Sequence, residues 1–128
     1  MRAAEATVRE AISRDVSTTL TADDKRDDLK RFLTSSLLKS FNKGARDFDG
    51  DPFTGSQEPE YFVIRSLSSI QQAPSRVDVT VHFGNSTVPD LQPVIRYEMT
   101  AVGDRWQMDN IVYVTDKQNL RQTLNRKH

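Results

Sequence analysis

Ala4, Val8, Ile12, Val16 and Leu20 recur every four residues, which places one apolar stripe along a first helix. Glu5 before Arg9 and Glu10 before Arg14 are acid-before-base pairs at i,i+4 on its polar side, each contributing about 0.2–0.5 kcal/mol. Thr21 followed by Asp23 and Asp24 reads as an N-cap with acidic first-turn residues, so a second helix starts near Ala22. Its stripe of Leu29, Leu33, Leu37 and Phe41 keeps the register, but Thr34-Ser35-Ser36 supplies a competing cap, and the expectation is that the stripe breaks there into two helices. Gly44 and the stretch from Asp47 to Gly55, rich in turn formers, end the helical half in a loop.

The second half switches to a period of two. Tyr61 to Ile70, Arg76 to Phe83, Val94 to Ala101 and Arg105 to Val114 read as four strands. They are separated by Ala73-Pro74-Ser75, by Gly84 to Asp90 and by Val102-Gly103-Asp104, whose Gly-Asp pair suits a hairpin. Thr115-Asp116 followed by Gln118 is expected to cap a short last helix with Leu120 and Leu124 inside and Arg121, Arg126 and Lys127 outside. Helices followed by consecutive antiparallel strands predict an α+β fold, with N-terminal helices packed on a curved four-stranded sheet. The 128 residues suit a single domain spanning the whole chain.

Eighteen basic residues balance eighteen acidic ones, so no overall field draws the chain to nucleic acid, and none is expected as a partner. The absence of cysteine excludes disulfides, thiolate nucleophiles and zinc-thiolate sites. No apolar run approaches the roughly 20 residues that span a bilayer, and the first residues lack the apolar core of a signal peptide. Phosphate-binding glycine loops, serine-histidine-acid order and metal-binding histidine spacing are all missing, so no cofactor is expected.

Asp47, Asp49 and Asp51 alternate in a loop as carboxylates that converge on a hard cation do, and Glu58 falls at the twelfth position of a calcium loop. Pro52 stands where that loop needs its glycine, and Glu58-Pro59 is a poor start for an exiting helix. The stronger reading is a solvated acidic loop anchored to the sheet by Pro52 and Phe53, with no metal. The mixed charge run from Asp23 to Arg31 reads first as a solvated face and second as a polar partner-binding surface. Trp106, Met108, Val112 and Val114 alternate with Ile111 and Tyr113. They are expected on opposite faces of one strand, as core or as the lining of a pocket.

Phe32 to Leu38, Asp51-Pro52-Phe53 with Gln57, Tyr61 to Ile64, Asp104 to Ile111 and Asn119 to Leu124 resemble an uncharacterised family of small bacterial envelope proteins, secreted or lipoprotein, within the nuclear transport factor-like superfamily. The resemblance covers about Thr21 to Leu124 and implies a cone-shaped α+β fold. It also implies an extracytoplasmic location, in the periplasm or cell envelope, with a leader removed and the precursor either secreted or lipid-anchored. In catalytic members of that superfamily a histidine and a carboxylate in the cavity act as acid and base. The candidates here are His82 with Glu98 or Asp109, since Asp78, on the same face as His82, lies four rises or about 13 Å along the strand.

The functional expectation is a non-catalytic extracytoplasmic binding domain. It would hold a protein partner, or a small ligand, through the open sheet face or cone mouth and the loop carrying Asp47, Asp49, Asp51, Phe53 and Gln57. Two alternatives stand beside it. One is an envelope immunity protein whose acidic loop occupies the cationic cleft of a secreted toxin. The other is a small isomerase, lyase or hydrolase using the His82 set. The chain is expected as a monomer or a homodimer.

Overall fold

The computed structural model describes residues 2–13, 29–44, 52–55 and 61–124. Helix α1 (Arg2–Ser13) is followed by a helical stretch at 29–32 and by α2 (Ser35–Gly44). The strands are β1 (Phe62–Ala73), β2 (Arg76–Asn85), β3 (Val94–Val102), β4 (Arg105–Tyr113) and β5 (Gln118–Asn119), and α3 (Leu120–Leu124) follows. They form one open antiparallel sheet in the order β1-β2-β3-β4-β5, each strand beside its neighbour in sequence.

The alternation of β2 and β3 decides which face is inner. Val77, Val79, Val81 and Phe83 of β2 and Ile95, Tyr97 and Met99 of β3 are buried, while their alternates are half-buried or exposed. Against this face lie Ala4, Val8 and Ala11 of α1, Leu37 of α2, and Leu120 and Leu124 of α3. Each large apolar side chain taken fully out of water there contributes about 1.5–3 kcal/mol, so one packed layer of helix on sheet is the main source of stability. Small residues at positions 4 and 11 of α1 let its backbone come close to the sheet, and Ser69 of β1 donates a hydrogen bond to Glu5.

The expected break in the second helical stripe is present. Leu33 makes a parallel bridge to Met108, and Thr34 N–H donates to the Met108 carbonyl at 2.9 Å. Thr34 then caps α2, its Oγ1 accepting from Leu37 N–H at 3.2 Å while its carbonyl accepts from Leu38 N–H. The expected hairpin at Gly103-Asp104 also forms. Gly103 has φ of +64° at the first central position of a two-residue loop, the conformation of a type II′ turn.

Three expectations are corrected. The sheet has five strands, because Gln118 and Asn119 pair with Tyr113 and Val112 before the last helix begins. That helix therefore starts at Leu120, and its cap is Asn119, whose Oδ1 accepts from Gln122 N–H at 3.0 Å. Thr115 instead accepts from Val94 N–H at 2.9 Å. The third correction concerns β4. Glu98 pairs with Asn110 and Met99 with Met108, which leaves Asp109 as the extra residue of a β-bulge. The bulge shifts the phase of alternation, so Met108, Ile111 and Tyr113 are buried on one side while Val112 and Val114 are not.

Candidate functional site

The bulge explains where Asp109 goes. As the unpaired residue of β4, its carboxylate leaves the sheet ladder and meets Thr34 and Arg121. Thr34 Oγ1 donates to Asp109 Oδ1 at 3.0 Å, and Arg121 Nη2 reaches the same oxygen at 2.8 Å. Arg121 Nε donates to the Asp109 carbonyl at 2.7 Å, and its Nη2 also reaches Ser36 Oγ at 3.2 Å. Asn110 adds a second tie, its Oδ1 accepting from Arg121 N–H at 3.1 Å and its amide donating to Asn119 Oδ1. This network joins β4 to the caps of α2 and α3, and its geometry is that of a structural clamp. Sequence reasoning placed Arg121 outside; the structure gives it the central role in this clamp.

His82 is elsewhere. It is exposed on the outer face of β2, opposite Ser66 of β1 and Val94 of β3. Glu98 stands four residues along β3 from Val94, opposite Asp78 and Asn110, so His82 and Glu98 are separated by about 13 Å of strand on an open face. Glu98 has Arg96 Nη2 at 3.7 Å. The structure therefore brings Asp109 to the clamp, Glu98 to mid-face and His82 to the far end, and the three do not line one cavity.

Phe53 is fully buried, with an edge-to-face contact to Phe32 at a centroid distance of 5.7 Å. Two consecutive carbonyls of its turn are held from the sheet: Tyr113 Oη donates to Pro52 O and Tyr97 Oη to Phe53 O, each at 2.5 Å. Gly55, at φ +66°, lies so close to the Tyr113 ring that a Cβ there would sit 3.2 Å from its Cε1. This turn is a plug in the interior, and the Phe53 ring presents no surface to a partner. Asp47, Asp49, Asp51 and Gln57 lie outside the described residues. Among the described residues no group of three or more histidine, aspartate or glutamate side chains converges as a metal site.

A concavity does exist at the opposite end of β4 from the plug. It is an open groove of about 970 Å3 between α1, residues 30–35 and the β3–β4 hairpin. Phe32, Leu33 and the half-buried Trp106 supply apolar lining, and Glu10 and Arg31 pair beside it. Arg31 also stacks over Phe32 at 5.5 Å from the ring centroid. Gln107 Nε2 donates to the carbonyls of Lys30 and Arg31 at 3.3 and 3.2 Å, which fixes that chain segment beside the strand. Trp106 and the end of the mixed charge run, Lys30 and Arg31, are brought together here.

Comparisons with protein-family models, with curated proteins and with solved structures find no match for this chain. Among the described residues no helix is long and apolar enough to cross a membrane.

Proposed function

We propose that this chain is a non-catalytic binding domain whose partner is a protein, working outside the cytoplasm in the cell envelope. The observation that carries the reading is the interior. Where a cone-shaped enzyme keeps its cavity, this domain holds Tyr97, Phe32, Phe53, Phe83, Met99 and Met108, each exposed by 1% or less. Side chains with so little exposed surface leave no room for a substrate at the centre of the fold. The separation of His82, Glu98 and Asp109 supports the same conclusion, because acid–base catalysis needs its groups within hydrogen-bond reach of one reacting site. The envelope location and the nuclear transport factor-like cone rest on the sequence resemblance, with which an antiparallel sheet carrying helices on its inner face is consistent.

The test is a turnover screen across ester, glycoside, amide and small carbonyl substrates with the wild-type chain and His82→Ala, run beside a search for a stoichiometric protein complex in envelope extracts. The expected result is no turnover that depends on His82, together with a complex that survives gel filtration. Turnover removed by His82→Ala overturns the proposal.

A further inference from the structure

We propose that the groove beside Trp106 is the docking site for an extended acidic segment of the partner protein, one that alternates carboxylates with large apolar side chains. This rests on the binding-domain reading above and names the surface and the chemistry of its partner.

Three features of the groove converge. The first is an open strand edge. β3 occupies one side of β4, while on the other β5 pairs only with Val112 and Tyr113, and Leu33 bridges only Met108. Among the described residues, Arg105 and Trp106 thus have no strand partner on the groove side, while Gln107 is flanked there by the Lys30–Arg31 segment. Backbone groups of alternate residues in an antiparallel ladder point to alternate sides. Because Val102 and Arg105 close the hairpin, the amide groups of Trp106 are the ones turned to the groove. An extended peptide can pair there with the Trp106 backbone, a one-residue form of recognition by strand addition, while its side chains meet the groove.

The second feature is the indole. Trp106 is half-buried, packed on the core on one side and lining the groove on the other. Among the described residues its ring N–H has no hydrogen-bond partner, whereas Tyr97 and Tyr113 have their hydroxyls bonded. A Trp with an apolar body and a polar tip left at a surface is the kind of residue that dominates protein interfaces.

The third is charge. Arg31 is engaged by Glu10, but Lys30 and Arg105 are both exposed and carry no ion pair among the described residues. They flank the groove on its two walls, one on the segment before α2 and one on the hairpin, with Asp104 the one other lining carboxylate. A strand laid along β4 with carboxylates on one face and apolar side chains on the other meets the two cations and the indole together, because side chains alternate along it.

The experiment uses the full chain and a short capped peptide alternating glutamate with leucine and phenylalanine, with a lysine-for-glutamate peptide as control. Trp106 is the single tryptophan, so its emission reports occupancy directly, and calorimetry gives the stoichiometry. The expected result is saturable binding of the acidic peptide at one per chain, a shift in Trp106 emission, and no response to the lysine peptide. Affinity falls roughly tenfold or more in the Lys30→Glu/Arg105→Glu variant, and also when salt is raised to about 0.5 M. Both side chains are exposed, so the variant is expected to keep the wild-type melting temperature. No binding of the acidic peptide, equal binding by the double variant, or the same Trp106 response to inorganic phosphate or an oligonucleotide overturns the inference. A native partner that binds the double variant as well as wild type overturns the groove assignment alone, whereas turnover lost in His82→Ala overturns the binding-domain reading beneath it.

Discussion

Replacing Phe53 by alanine is the sharpest test of whether the loop before the sheet is a plug or a contact surface. The ring is fully buried, it meets Phe32 edge-to-face at 5.7 Å, and its own carbonyl is held by Tyr97. Removing a buried phenylalanine costs about 3–5 kcal/mol, the lost transfer energy plus the cavity left behind. The aromatic contact accounts for about 0.5–1.5 kcal/mol of that. Single domains are stable by about 5–15 kcal/mol, so Phe53→Ala removes a large fraction of the total. For a chain of this length each kcal/mol moves the melting temperature by roughly 3–4 °C, which gives a drop of roughly 10–20 °C. Urea unfolding followed by Trp106 fluorescence and by circular dichroism measures the same quantity, and coincident transitions license the two-state treatment. Phe53→Leu keeps most of the volume and is expected to cost less, about 1–2 kcal/mol. A loss below about 1 kcal/mol for Phe53→Ala would instead put the ring outside the core, free to serve as a contact.

Three further outcomes follow from the same structure. Tyr97→Phe removes the hydroxyl that donates to the buried Phe53 carbonyl and is expected to cost about 1–3 kcal/mol in urea unfolding, with wild-type secondary structure. Thr34→Ala removes both the cap of α2 and the donor to Asp109, and is expected to cost about 1–2 kcal/mol; a double-mutant cycle with Arg121→Ala measures how much of that belongs to the shared clamp. Lys117 holds a φ of +55° in the turn before β5, a conformation costly for any residue with a Cβ, so Lys117→Gly is expected to raise stability by up to about 1 kcal/mol, read as a higher melting temperature.

What the sequence disclosed and what it hid divide along physical lines. The four long strands and the two tight turns between them are local signals, a period of two ended by Pro74-Ser75 and Gly103-Asp104, and the structure has strands at all four places, with β1 running on to Ala73 and β2 to Asn85. Thr34 was readable as a cap for the same reason. The bulge at Asp109 was not, because an inserted residue leaves alternation intact on either side and changes only its phase. The spacing Trp106, Met108, Ile111, Tyr113 runs two, three, two, and with the polar Asp109-Asn110 pair at its centre that was the available signal. A two-residue strand such as β5 has no periodicity to read, so Asn119 was missed as the cap of α3. The groove escapes sequence reading altogether, since its walls come from Thr7 and Glu10, from Lys30 and Arg31, and from Arg105 and Trp106, which only the fold brings together.

The most direct test of the filled interior is xenon titration followed through methyl resonances of the folded chain, because genuinely empty apolar cavities take up xenon. A filled interior gives no saturable shift at Val79, Val81, Ile95 or Ile111 in the wild-type protein, and a saturable shift at core methyls in Phe53→Ala, where the cavity has been made. Saturable, stoichiometric shifts of those four residues in the wild type would contradict it and would restore a cavity to the centre of the fold.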